Sequence, residues 1–136
     1  MLLHVERGYL LVRWGAVSLV AEAPQGPRLL AVPGGVLVAT GHRRAAVSLY
    51  WAGPFDDEPR LLDASAWDTV LDAGVNADRP LQVSNSDGSP PLEDEPWLTD
   101  GPGSWRLRVY QRVNGWIDDG SGLPPEDVFV QLWAGA

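Results

Sequence analysis

Apolar and polar residues alternate most regularly in the last third of the chain. From Trp105 to Tyr110, the side chains of Trp105, Leu107 and Val109 fall on one face and those of Arg106, Arg108 and Tyr110 on the other. From Val128 to Trp133, Val128, Val130 and Leu132 line one face, with Phe129, Gln131 and Trp133 opposite. A period of two is the mark of a strand with one buried face. Both stretches therefore predict strands, with Trp105, Leu107, Val109, Val128, Val130 and Leu132 in the core. Shorter strand signals recur at Leu2–Glu6, Tyr9–Arg13, Ala16–Ala21, Val36–Thr40, Ala46–Trp51 and Leu81–Ser84. Turn formers separate them, among them Arg7-Gly8, Pro33-Gly34-Gly35, Gly53-Pro54 and Asp118–Ser121. Many short strands with such punctuation predict an all-β fold: a single-domain antiparallel β-sandwich of about seven to nine strands over residues 1–136.

One segment admits two readings. Asp63–Gly74 fits a short helix with Asp63 as cap, Trp67 and Leu71 one turn apart and Gly74 as terminator. It also fits a strand with Trp67, Thr69, Leu71 and Ala73 on one face, a preference that cross-sheet packing can impose over local propensity.

Composition narrows the class. A chain of 136 residues can bury a core without staples, and the absence of cysteine rules out disulfides and thiolate metal sites. The first residues lack the pattern of a secretory signal, and no apolar run approaches the roughly 20 residues of a membrane helix, so a soluble cytoplasmic protein is expected. All ten basic residues are arginine, which matches the codon usage of a GC-rich genome. Charge is unevenly distributed. Residues 1–55 carry two acids and five arginines, a net of +3, whereas residues 56–136 carry sixteen acids and five arginines, a net of −11. An acidic section disfavours nucleic acid and anionic membranes as partners and suits a basic protein, beside the plainer reading that it confers solubility.

Candidate chemistry is sparse. His4 and His42 are isolated, and no spacing suggests a metal site, a nucleophile elbow or a phosphate loop, so no catalytic residue, metal or cofactor is expected. Arg106, Arg108 and Arg112 either bind an anion or pair with nearby acids across the sheet, and pairing is favoured. Acids cluster at Asp56-Asp57-Glu58, Glu93-Asp94-Glu95 and Asp118-Asp119. Calcium binding and carboxylate hydrolysis are chemical options for them, and coincidence in an acidic chain explains the clusters better. Of seven tryptophans, Trp51, Trp105 and Trp133 belong to strands and read as packing, whereas Trp97 and Trp116 sit in polar loops, where exposed aromatics serve recognition.

From Ala66 onward the order of elements is similar to that of the competence protein J family. Its pattern of Trp-acid-x-Val, a short strand, Pro-Gly-x-aromatic-Arg-x-Arg-Val and an acidic-aromatic strand reads here as Trp67–Val70, Leu81–Val83, Pro102–Val109 and Glu126–Trp133. The resemblance covers about half the chain and extends to bacterial immunity-type β-sandwich proteins. It implies a β-sandwich, a strand over Trp67–Val75, and inhibition of a DNA-entry nuclease or neutralisation of a toxin. The matching positions describe strands and turns, so no functional residue transfers.

The expected function is that of a non-enzymatic binding protein that neutralises a basic partner. The binding residues would be Asp56, Asp57, Glu58, Glu93, Asp94, Glu95, Trp97, Trp116, Asp118 and Asp119. The alternatives are a small-ligand or carbohydrate-binding module, which needs a cleft lined by Trp97 or Trp116, and a hydrolase using scattered carboxylates.

Overall fold

Strands β1 (Leu2–Val5) and β2 (Tyr9–Arg13) turn about Gly8, whose positive φ of 81° suits a residue without a side chain. The computed structural model describes residues 2–17, 28–85 and 97–135. Seven more strands follow: β3 (Arg28–Val32), β4 (Gly35–Ala39), β5 (Ala45–Phe55), β6 (Thr69–Ala77), β7 (Gln82–Asn85), β8 (Gly103–Arg112) and β9 (Pro125–Ala134). They form a five-stranded sheet in the order β1-β5-β9-β8-β6 and a four-stranded sheet in the order β3-β4-β2-β7. Both sheets contribute to one apolar core, including Leu10, Val12, Val36 and Val38 from the smaller sheet and Val47, Leu49, Leu107, Val109, Val128, Val130 and Leu132 from the larger. The chain is thus an all-β sandwich, as its alternation predicts. Among the described residues, no helix is long and apolar enough to cross a membrane.

Two details differ from the expectation. β5 and β9 pair in parallel, from Ala46 opposite Pro125 to Phe55 opposite Trp133, whereas every other pairing is antiparallel. The cause is the connection from β5 to β6. Residues 56–68 run back along the outside of the larger sheet, so β6 starts from the same end as β5, and the β6-β8-β9 order leaves β9 parallel to β5. Trp105, the one predicted core residue that is not buried, sits half-buried against the core cluster near the start of β8.

The ambiguous segment uses both of its readings in succession. Ala64–Ala66 is a single 3₁₀ turn, and the Asp63 carboxylate accepts hydrogen bonds from the Ser65 backbone N–H (3.0 Å) and hydroxyl (2.7 Å). Those bonds hold the Asp63 carboxyl below its usual range. The strand then begins at Thr69, with Val75 and Ala77 inward and Asp72, Gly74 and Asn76 exposed. β3 had no counterpart in the sequence reading, and the strand expected at Ala16–Ala21 lies, from residue 18 on, outside the described residues.

The returning connection explains why the outer face of β8 is buried. Tyr110 is fully buried and Arg108 nearly so. The Tyr110 hydroxyl donates to Gln131 Oε1 at 2.6 Å and accepts from the Leu62 N–H at 3.1 Å. Arg108 donates to the carbonyl of Pro59 and pairs with Glu58 and Asp72, and Gln131 Nε2 donates to the carbonyl of Arg60. Trp67 packs on Tyr110 and Phe129, with ring centroids 5.6 and 6.4 Å away. A backbone passing over a sheet needs such partners, because a buried polar group left unpaired costs about 1–3 kcal/mol.

Candidate binding surfaces at the two ends

The strand registers define two ends. Gly8, Thr40, Arg112 and Pro125 lie at the lower one, and Arg13, Gly35, Gln82 and Gly103 at the upper one.

The lower end is built on Arg112, the last residue of β8. Its guanidinium donates to Asp127 Oδ2 on the neighbouring β9 at 2.9 Å and to the carbonyl of Ala66 at 3.0 Å. It also lies over two indoles, 4.5 Å from the Trp67 ring centroid and 3.9 Å from that of Trp116. Its charge is therefore used inward, against a carboxylate with only 6% of its side chain exposed. Trp116 is 80% exposed, and its neighbour Ile117 is 53% exposed. The β8–β9 connection that carries them is anchored over its first residues. The Val113 N–H donates to Asp68, and the Gly115 N–H donates to the carbonyl of Pro125. A Cβ at Gly115 would come within 2.9 Å of the backbone at Pro125 and Glu126, so only glycine allows this close approach.

Beyond Trp116 the carboxylates shape the loop. Asp118 Oδ1 accepts from the Gly120 N–H at 2.8 Å. Asp119 Oδ1 accepts from the Ser121 hydroxyl (2.6 Å) and backbone N–H (3.0 Å), and Asp119 Oδ2 lies 2.7 Å from His4 Nε2 on β1. The Ser121 hydroxyl, His4 and the Ser121 N–H together lower the Asp119 carboxyl from 3.8 to about 2. The loop thus presents fixed negative charge beside exposed apolar surface. Deeper in, buried Glu126 accepts from the Gly41 and His42 N–H groups at 2.9 and 2.8 Å, and its Oε2 lies 2.7 Å from His42 Nδ1. That carboxylate ties the β4–β5 turn to β9.

The upper end carries a cleft of about 400 Å³ lined by Arg13, Trp14, Gly15, Ala16, Arg79, Pro80, Gln82 and Trp97. Arg13 ends β2, and Gln82 opposite it starts β7. Trp97 extends the same sheet through an isolated bridge to Gln82, reinforced by the Leu98 N–H donating to the carbonyl of Leu81.

The structure does not gather the expected binding residues into one patch. Trp116, Asp118 and Asp119 share the lower loop, and Trp97 lies in the upper cleft. Asp56 and Asp57 are exposed where β5 leaves the upper end, and Glu58 is engaged by Arg108 under the returning connection. Glu93, Asp94 and Glu95 lie outside the described residues. The favoured pairing of the β8 arginines with acids is found for Arg108 and Arg112. Trp67 and Ile117 at the lower end, and Arg13, Trp14, Arg79 and Gln82 at the upper, were not singled out as binding residues from the sequence, and Arg112 was weighed only as an anion binder or an ion-pair partner. A basic residue two positions after an aromatic strand residue and four before a loop tryptophan was the available signal for Arg112. Among the described residues, no group of three or more His, Asp or Glu is placed to hold a metal. No protein-family model, curated protein or solved structure matches the chain.

Proposed function

We propose that this is a binding protein without catalysis of its own, whose lower end engages a basic protein and neutralises it, the partner being a nuclease or another toxin. The observation that carries the reading is Trp116, 80% exposed yet stacked on an arginine that is itself held by Asp127 and Trp67. Tryptophan is enriched among residues that dominate interface energies, and a ring already held in place loses little freedom on binding. Ile117 adds apolar surface, Asp68 and Asp118 supply negative charge beside it, and Arg112, the arginine against which the ring is stacked, is paired inward with Asp127. The resemblance of the C-terminal half to nuclease-inhibitor and immunity-type sandwiches supports the same class of partner. The test is capture from cells that make the protein, with wild type and Trp116→Ala side by side, followed by nuclease assays on the captured partner. A basic protein retained by the wild type, released by salt, lost with Trp116→Ala and inhibited when bound is the expected result. Equal retention by both forms, or no inhibition, overturns the reading.

A further inference from the structure

We propose that the outer face of the larger sheet is a docking surface for an amphipathic basic helix of the partner, laid along the strip from Trp116 to Leu61. The proposal rests on the reading of the chain as a binder of a basic protein, and adds how that protein is held. Five of the eight large apolar residues exposed among the described residues lie on this face or on the connections that cross it: Tyr50, Leu61, Leu62, Trp116 and Ile117. Exposed apolar side chains scattered singly need no explanation, whereas contiguous ones mark interaction surfaces.

A chain of contacts joins these five. Val47 and Leu49 belong to the core, so Ser48 and Tyr50 face outward on β5. Tyr50 is 43% exposed and stands opposite the half-buried Phe129 of β9. The Phe129 ring packs on Trp67, and Trp67 shares the Arg112 guanidinium with Trp116. Gln131 donates to the carbonyl of Arg60 and the Tyr110 hydroxyl accepts from the Leu62 N–H, so the backbone of Leu61 is fixed over β9 and β8. Leu61 and Leu62 are 55% and 37% exposed. At the lower border, the β8–β9 connection runs from Arg112 on β8, where Trp116 stacks, to His4 on β1, where Asp119 is held. It crosses β9 and β5 on the way and carries Ile117 over the same face. Tyr50 thus lies between two crossing connections that are already tied to the sheet, and a surface so held loses little freedom on binding.

Geometry and charge select the occupant. β5 lies between β1 and β9, and β9 between β5 and β8, so their backbone groups are used within the sheet and a partner strand cannot be added here. Recognition falls to side chains. Arg112, under Trp116, and Arg108, beside the returning connection, stand about 13 Å apart along β8, the length of about nine residues of helix. Apolar side chains at i, i+4 and i+7 of a helix fit along such a strip. The connection 56–68 carries five acids against Arg60 alone, and residues 113–124 carry Asp118 and Asp119 and no basic residue. Asp63, Asp68 and Asp118 are exposed along the borders, and each is held by a backbone N–H, those of Ser65, Val113 and Gly120. Lysines and arginines flanking the apolar face of a helix meet these carboxylates. A second copy of this chain would instead set carboxylates against carboxylates, and an anionic membrane is repelled for the same reason.

The test is titration of the full chain with a synthetic leucine–lysine peptide of about 18 residues patterned as an amphipathic helix. Its controls are a scrambled peptide of the same composition, a leucine–glutamate version and phosphatidylcholine vesicles, and sedimentation reports self-association. Calorimetry should show saturable binding of the patterned peptide, at least about 10-fold tighter than the scrambled one, which has the same charge without the apolar face. In NMR spectra the Trp116 indole and the Leu61 and Leu62 amides should move, and the Trp97 indole should not. Tyr50→Ser and Leu61→Ser, both at exposed positions, should each weaken binding about 5-fold or more with the melting temperature unchanged. Equal binding of patterned and scrambled peptides, tighter binding of the glutamate peptide or the vesicles, dimerisation through this face, or unchanged affinity in both variants would overturn the proposal. The same two variants in the capture experiment separate it from the reading on which it rests. A basic protein lost with Trp116→Ala but retained by Tyr50→Ser and Leu61→Ser overturns this proposal alone, whereas peptide binding here without any captured basic protein overturns the partner reading alone.

Discussion

Arg112 carries three kinds of interaction at once: an ion pair inward to Asp127, a hydrogen bond to the carbonyl of Ala66, and cation–π contacts with two indoles. Its partner carboxylate is nearly inaccessible to water, so removing the arginine leaves a buried charge unpaired. Arg112→Ala should therefore destabilise the fold by about 3–5 kcal/mol, measured by urea denaturation, and Arg112→Lys should recover part of that because it restores charge but not the planar fork. A loss below about 1 kcal/mol would mean that Asp127 finds other partners. Asp119 acts in the same region through a different mechanism. Its carboxyl titrates near 2 in the folded chain, below its ordinary 3.8, so the folded state binds this proton more weakly than the unfolded chain does. The contacts of Asp119 with Ser121 and His4 accordingly contribute stability in full above about pH 4, and that contribution is lost as pH falls toward 2. Carboxyl NMR should place the Asp119 midpoint near 2, and His4→Ala should shift it upward; a wild-type midpoint near 3.8 would contradict the contacts.

At the scale of elements, the connection 56–68 decides what the larger sheet can present. It covers the half of the outer face nearest β8, and its polar groups are satisfied by Tyr110, Arg108 and Gln131. Tyr110→Phe removes the one hydroxyl that joins Leu62 to Gln131, and should cost about 1–2 kcal/mol while speeding hydrogen exchange at the Leu62 amide far more than in β9. Uniform acceleration across the sheet would show instead that the connection and the sheet open together. Strong alternation made β8 and β9 legible in the sequence, down to which face each residue occupies. β3 was not legible, because Arg28-Leu29-Leu30-Ala31-Val32 does not alternate: as an edge strand it exposes Arg28, Leu30 and Ala31 and half-buries Leu29 and Val32. The parallel pairing of β5 with β9 was equally hidden, since alternation is the same in either direction and strand direction depends on where a connection runs. Residues 63–74 resisted a single reading because a capped turn and a strand adjoin there.

Across the whole molecule, what the sequence revealed of the candidate sites stopped at single loops. Trp116 stood out as an aromatic in a polar segment, but the arginine that orients it and the Trp67 beneath come from β8 and from the connection before β6. The upper cleft draws on residues 13–16, 79–82 and 97, which become neighbours only through the β2–β7 pairing and the Gln82–Trp97 bridge. The acids likewise split between ends and internal pairs, so the net −8 acts as a field around the molecule and not as one adhesive patch. That division predicts the kinetics of partner capture. A long-range field governs encounter, so association with a basic partner should slow by at least about 10-fold as salt shortens the Debye length from about 30 Å at 0.01 M to about 3 Å at 1 M. Trp116 acts only after contact, so Trp116→Ala should leave the association rate near its wild-type value and raise the dissociation rate, whereas Asp118→Asn should do the reverse. Stopped-flow measurement of both rates across the salt range separates the two effects. An association rate indifferent to salt, or a Trp116→Ala variant that dissociates as slowly as the wild type, would mean that the partner is held elsewhere than at the lower end.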